Sequence, residues 1–98
     1  MKIEKSHYEF SADKNQLLIQ ARGVSFEDII SALDNEKLLD IIEHHNVLKY
    51  PNQKIYVINL NRYVYLVPFI RKDKQTVFLK TIFPSRKLTK IYIGDGGV

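Results

Sequence analysis

The chain has 98 residues, of which 45% are hydrophobic and 27% charged, and its formal net charge is +4. This length and composition predict one globular domain over residues 1–98. The absence of cysteine excludes disulfides and thiolate metal sites. No apolar run approaches the roughly 18 residues of a membrane-spanning helix, and the N-terminus lacks a secretory-signal pattern. We therefore expect a cytoplasmic protein.

Charge is distributed unevenly along the chain. Residues 1–48 include five basic and nine acidic residues, whereas residues 49–98 include ten basic and two acidic residues. Lysine and arginine bind polyanions favourably because they displace the counterions condensed on phosphates. RNA or DNA is thus the leading class of partner, and the alternative is a solvated basic face that binds nothing.

Two helices are predicted in the first half. Asp13 is placed as the N-cap of the first, and Gly23 lies where a helix C-terminus favours a left-handed residue. Ser25 then begins a second helix, with an acidic residue at its third position. The apolar residues of this second helix follow the spacing of one helical face: Phe26, Ile29, Ile30 and Leu33.

The second half is predicted to form strands. Residues 55–60 and 63–67 are rich in β-branched and aromatic residues and flank a turn at Asn61. A third strand is expected over 76–83, ended by Pro84. Residues 37–44 fit a helix or a strand equally well.

The elements together predict an α+β fold. Two N-terminal helices pack on a three- to four-stranded antiparallel sheet, and a short C-terminal helix follows Ser85 and reaches Tyr92. Residues 94–98 are expected to be a frayed tail.

No pattern of a metal or cofactor site is present. The three histidines are His7, His44 and His45, and they do not form a metal-ligand spacing such as HExxH. Glycine-rich phosphate loops and nucleophile elbows are also missing, so no cofactor is expected.

The residues do suit a metal-independent ribonuclease, because RNA supplies its own nucleophile, the 2′-hydroxyl. Such an enzyme needs only a base, an acid and cations.

Candidates exist for each of these roles. The base or acid candidates are Glu43, His44 and His45, and the cation candidates are Lys54, Lys80, Arg86 and Lys87. The groups expected to contact RNA by stacking, charge or a hydroxyl are Tyr50, Lys87, Lys90 and Tyr92. The histidine pair has a structural alternative, because it also fits the polar end of an element. Three further tyrosines, Tyr56, Tyr63 and Tyr65, fit core or cross-strand positions better than base-stacking ones.

Two of the cations have alternatives that a structure can separate. Lys80 shares a predicted strand face with Phe78 and Ile82, so it is either buried with a partner or part of an open binding face. Arg86 and Lys87 either project beyond the sheet edge or lie in the first turn of the terminal helix. In that turn they oppose the helix dipole unless an anion is near.

Three segments resemble one known family. FSADKN at residues 10–15, RGVSFED at 22–28 and FLKTIFPSRKLT at 78–89 are similar, in this order, to segments of BrnT-type toxins of type II toxin–antitoxin systems. The resemblance extends over roughly residues 8–92.

The resemblance implies a fold similar to RelE-like ribonucleases, and it favours a strand for residues 37–44. It also implies metal-independent mRNA cleavage and growth inhibition. The implied partner is a small DNA-binding antitoxin, often of ribbon-helix-helix type, and operator DNA is contacted only through that antitoxin. Its site positions fall at Glu43-His44-His45, Lys54 and Arg86. A second hypothesis is a non-catalytic toxin-like module that serves as a scaffold or co-repressor with its antitoxin.

Overall fold

The computed structural model describes residues 7–44, 46 and 48–94. Within them the elements follow in the order β1 (His7–Glu9), α1 (Ala12–Arg22), α2 (Phe26–Asp34), β2 (Leu38–Glu43), β3 (Gln53–Leu60), β4 (Tyr63–Arg71), β5 (Thr76–Leu79), β6 (Phe83–Pro84) and α3 (Arg86–Tyr92). The α+β class is thus confirmed, and the ambiguous residues 37–44 contain a strand. The predicted tail lies outside the described residues from position 95 onward.

The two N-terminal helices begin and end at short polar signals. Ser11, and not the predicted Asp13, is the N-cap of α1, because its hydroxyl accepts a main-chain amide of the first turn. Gly23 ends α1 with a φ of +69°, a conformation that glycine adopts without strain. At α2 the predicted capping box is present: Ser25 and Asp28 exchange two hydrogen bonds of 3.0 Å.

The sheet is larger than the predicted three to four antiparallel strands. Its strands lie in the order β1-β5-β4-β3-β2, and β6 pairs with β4 off this path. β1 runs parallel to β5, so the sheet is mixed. The sequence does not reveal β1 because a three-residue strand, with Tyr8 between two polar residues, is too short to show an alternating pattern.

The predicted third strand, 76–83, is divided. β5 ends at Leu79, and the Lys80 amide still donates to the Pro68 carbonyl of β4. Residues 81–82 then leave the sheet, and β6 pairs with β4 opposite Tyr65 and Leu66. Ile82 is fully buried in the core, and this burial stabilises the departure from the ladder. Pro84 therefore lies within β6 and does not end the strand before it. The predicted turn at Asn61 is confirmed, with φ values of +55° and +68° at positions 61 and 62.

The main core lies between the first two helices and one face of the sheet. Phe26 and Ile29 of α2 are fully buried there and belong to one cluster with Tyr56 and Ile58 of β3. The register adds further side chains of this face from β4 and β5, namely Val67, Phe69, Val77 and Leu79. Each large apolar side chain buried in this way stabilises the fold by about 1.5–3 kcal/mol. We call this side of the sheet the helical face.

The opposite side of the sheet is covered in part by α3. Thr89 accepts a hydrogen bond from the Val64 amide of β4, and the Tyr92 hydroxyl of the same helix reaches Asp40 of β2. Val57, which lies opposite Asp40 in the register, is fully buried. We call this side the α3 face. Of the helices in the described ranges, none combines the length and the apolar character needed to cross a membrane.

Candidate functional site

A cavity of about 500 Å³ lies on the α3 face and collects several of the predicted site residues. The strands supply its floor, because Ile55 and Pro68 are paired neighbours of β3 and β4. The complete lining is Lys14, His44, Tyr50, Gln53, Ile55, Pro68, Lys80, Thr81 and Phe83. We call it the Lys80 cavity. It joins the first turn of α1, the loop after β2 and the exit of β5.

Two rings of the loop after β2 form one wall of this cavity. The His44 and Tyr50 ring centroids are 4.5 Å apart at an interplanar angle of 43°. The Asn46 amide donates to Nδ1 of His44 at 3.1 Å, and the Asn46 carbonyl accepts from the Tyr50 amide at 2.9 Å. With Nδ1 accepting, the neutral imidazole carries its proton on Nε2. The loop therefore fixes the tautomer of His44 as well as its position.

Two lysines bring positive charge to the cavity. Lys14 lies in the first turn of α1 and is partly buried, whereas Lys80 is exposed at the end of β5. Neither forms an ion pair within the part of the chain that the structure describes. Lys49 adds a third cation nearby, with its Nζ 5.5 Å from the centroid of the Tyr50 ring. Several cations without acidic partners make the cavity attractive to an anion such as a phosphate.

Lys54 and Glu43 do not contribute to this cavity. They lie opposite each other in the β2–β3 register, and Lys54 lies opposite Phe69 of the helical face. Because neighbouring residues of a strand point to opposite sides, the Lys54 side chain leaves the face that carries Gln53 and Ile55. Lys54 instead lines a second cavity of about 240 Å³ with Ile41, Asn52, Tyr56, Phe69 and Arg71. We call this the Lys54 cavity.

The predicted residues of the C-terminal helix also lie apart from the Lys80 cavity. Arg86 and Lys87 form the first turn of α3 behind the N-cap Ser85, which is the second of the two arrangements considered for them. Lys90 is exposed in the last turn. The Tyr92 hydroxyl donates to Asp40 Oδ2 at 3.0 Å, and this bond is the main cause of a raised pKa for Tyr92. His45 lies outside the described residues.

The remaining tyrosines take the core roles that were the structural alternative. Tyr56 is buried and stacks on Phe69, with ring centroids 3.9 Å apart and an interplanar angle of 12°. Burial is the main cause that raises the pKa of Tyr56 to about 12. Tyr63 and Tyr65, two residues apart in β4, are partly buried and pack edge to face at 5.7 Å, and Tyr65 also packs against the core. All three rings therefore have structural roles.

Sequence reasoning missed six residues of the Lys80 cavity, namely Lys14, Gln53, Ile55, Pro68, Thr81 and Phe83. Thr81 and Phe83 flank Lys80 in the motif that was singled out, so extending the motif by its neighbours would have found them. Lys14 belongs to the FSADKN segment of the resemblance, but nothing local shows that the first turn of α1 lies beside the end of β5.

Other features of the described residues are less suited to a charged substrate. A cavity of about 560 Å³ lies between α2 and the β3–β4 turn, but Asp28 and Lys37 balance each other there and the remaining lining is neutral. Within residues 7–44, 46 and 48–94, no three His, Asp or Glu side chains are grouped as metal ligands. Comparisons with protein-family models and with curated proteins give no match to this chain.

Proposed function

We propose that this chain is a metal-independent endoribonuclease that acts in the cytoplasm as the toxin of a toxin–antitoxin pair, with the Lys80 cavity as its RNA site. The observation that carries the proposal is the meeting of Lys14 and Lys80 with the His44–Tyr50 pair in one cavity. Apart from the short strand β1, two helices precede the strands and one follows them, which is the order that the resemblance to BrnT-type toxins implies. The partner in this proposal is a small DNA-binding antitoxin.

The reaction needs little from the protein beyond charge and positioning. The 2′-hydroxyl of the RNA attacks the adjacent phosphorus, its proton passes to a base, and the bond to the 5′-oxygen breaks as that oxygen takes up a proton. The products are a 2′,3′-cyclic phosphate and a free 5′-hydroxyl. Lys14 and Lys80 hold the non-bridging oxygens and stabilise the charge that grows in the transition state. The Tyr50 ring orients the RNA chain by stacking on a base.

The role of His44 follows from the Asn46 contact. A base needs a free lone pair, and Nδ1 already accepts the Asn46 amide. His44 can serve as the base only if this bond opens when RNA binds. With its proton on Nε2, His44 is instead suited to the acid role, the donation of a proton to the leaving 5′-oxygen.

This same observation favours a second candidate function. Nδ1 of His44 accepts the Asn46 amide, and Glu43 lies opposite Lys54, away from the Lys80 cavity. The described residues of the cavity therefore include cations suited to RNA but no obvious base. In this second proposal the chain is a non-catalytic toxin-like module that acts as a scaffold or co-repressor with its antitoxin.

A cleavage assay separates the two functions. Purified protein is incubated with end-labelled single-stranded RNA in EDTA, and the products are tested for a 2′,3′-cyclic phosphate. The nuclease proposal expects cleavage that falls at least about tenfold in Lys80→Gln, since one transition-state contact is worth roughly 1.4 kcal/mol or more. Lys54→Gln is the matched control, a lysine removed from the other face, and should cleave normally.

The contradicting outcomes are equally specific. Salt-dependent RNA binding without any product selects the non-catalytic module. Intact RNA together with normal growth on induced expression, with or without the neighbouring reading frame, overturns the toxin proposal altogether.

A further inference from the structure

The outer edge of β2 is apolar and open. In the described part of the chain β2 pairs with β3 alone, so its other side faces no strand. Leu38, Leu39 and Ile41 are 36%, 37% and 47% exposed, although each is a large aliphatic side chain. The β2–β3 register shifts between Leu38 and Asp40, so the ladder is interrupted here. An exposed edge of this kind is a template for a further strand.

The main-chain pattern shows which groups a further strand would meet. The His44 amide donates to the Gln53 carbonyl of β3. Because an antiparallel ladder bonds alternate residues, the main chains of Ile41 and Glu43 are turned to the open side. Asp40 Oδ1 accepts the Ile41 amide at 2.8 Å, so that donor is satisfied within the chain. The Ile41 carbonyl and the main chain of Glu43 remain turned outward.

The Lys54 cavity adjoins this edge, because Ile41 belongs to both. It places two cations, Lys54 and Arg71, beside the apolar strand. Arg71 is held in place by the carbonyls of Asp73 and Lys74, at 3.4 and 3.2 Å from its Nη1. Lys54 is exposed, and although Glu43 lies opposite it in the β2–β3 register, Lys54 forms no ion pair within the described ranges.

We propose that the open edge of β2 and the Lys54 cavity bind an extended segment of a partner protein that carries apolar and acidic side chains. The aliphatic side chains of β2 suit apolar groups, the outward main chain suits strand addition, and Lys54 and Arg71 attract carboxylates. RNA fits this surface poorly. The cavity's own rings, Tyr56 and Phe69, are stacked on each other and buried, so they offer no face to a base.

This site is separate from the Lys80 cavity, so it does not depend on the proposed nuclease function. Two short blocked peptides serve as probes, one of alternating valine and glutamate and one of alternating valine and lysine. Fluorescence anisotropy should show binding of the glutamate peptide and at least about tenfold weaker binding of the lysine peptide, equivalent to about 1.4 kcal/mol.

Variants on the two faces make the test specific. Lys54→Glu should weaken the glutamate peptide at least about tenfold and strengthen the lysine peptide, because the charge is reversed. Ile41→Ser should weaken both peptides through lost apolar contact. Lys80→Glu, the same reversal on the α3 face, should bind both peptides as the unchanged protein does.

Three results would overturn the proposal. Equal affinity for the two peptides, or no binding of either, removes the case for an acidic segment. RNA binding that Lys54→Glu weakens and Lys80→Glu does not makes this surface a nucleic-acid site instead. A free protein that light scattering shows to be a dimer, and that Ile41→Ser makes monomeric, assigns the edge to a second copy of the chain.

Discussion

Lys54 and Lys80 lie on opposite faces of one sheet. Lys54 is opposite Phe69 of the helical face, whereas the Lys80 amide donates at 2.8 Å to the carbonyl of Pro68, whose side chain lines the Lys80 cavity. The two lysines both belong to the basic half of the chain, yet a single RNA strand in the Lys80 cavity would meet only one of them. The basic half therefore provides two separate surfaces.

This separation predicts how each lysine affects the salt dependence of RNA binding. Removing one phosphate contact should lower the slope of log affinity against log salt concentration by about 0.7 for a single strand. We expect this change in Lys80→Gln and in Lys14→Gln, measured by anisotropy with a labelled oligoribonucleotide over a series of salt concentrations. Lys54→Gln should keep the slope of the unchanged protein. A reduced slope in Lys54→Gln and an unchanged slope in Lys80→Gln would place the RNA on the helical face.

The local signals of the sequence predicted the elements well, because each signal acts within a few residues. The Ser25 capping box, the Gly23 helix end and the turn at Asn61 depend on side chains and backbone preferences next to them. The division of the 76–83 strand was not predictable in this way. It depends on Ile82 reaching a core that distant helices complete.

The site was only partly predictable for the same physical reason. Strand alternation shows that Lys54 and its neighbours Gln53 and Ile55 point to opposite sides, but it does not show which side also receives Lys80. That depends on the pairing of β5 with β4, which is a contact between distant parts of the chain. The bond between Asn46 and His44, which constrains the chemistry, depends on loop geometry that no periodic pattern encodes.

Asn15 joins the two N-terminal helices, and its removal should be costly. It is a buried polar side chain whose Oδ1 accepts the Phe26 amide at 2.7 Å and whose Nδ2 donates to Glu27 Oε1 at 2.8 Å. Asn15→Ala leaves the buried Phe26 amide without a partner, so the free energy of unfolding should fall by about 2–3 kcal/mol in urea titrations. Gln16→Ala, an exposed neighbour, should change it by less than about 0.5 kcal/mol.

A second measurement connects this loss to Asn15 itself. The hydrogen bond from Asn15 is the main cause that lowers the pKa of Glu27, so this pKa should rise in Asn15→Ala when it is followed by NMR. A lowered stability with an unchanged Glu27 pKa would contradict the proposed contact.

Thr89 anchors α3 to the sheet through its hydroxyl. The Oγ1 atom accepts the Val64 amide at 2.9 Å and donates to the Ser85 carbonyl at 2.7 Å, and the side chain is buried. Thr89→Val keeps the shape but leaves the Val64 amide unsatisfied, at a cost of about 1–3 kcal/mol in unfolding free energy. Amide hydrogen exchange should show lost protection at Val64 in Thr89→Val and retained protection in Thr89→Ser, which keeps the hydroxyl. Equal protection in both variants would refute the anchor.

Tyr56 should make the protein sensitive to alkaline pH. Burial, with a smaller contribution from nearby Tyr8, raises its pKa from 10.0 to about 12 in the folded chain. The unfolded chain therefore loses this proton at lower pH than the folded chain. The contribution of Tyr56 to the free energy of unfolding is complete below about pH 10 and is lost as the pH rises towards about 12, with a total of at most about 2.7 kcal/mol.

Urea titrations at a series of pH values should show that the free energy of unfolding falls less steeply at alkaline pH in Tyr56→Phe than in the unchanged protein. The other titrating groups are common to both, so two parallel curves would show that the Tyr56 hydroxyl ionises equally in the folded and unfolded chains.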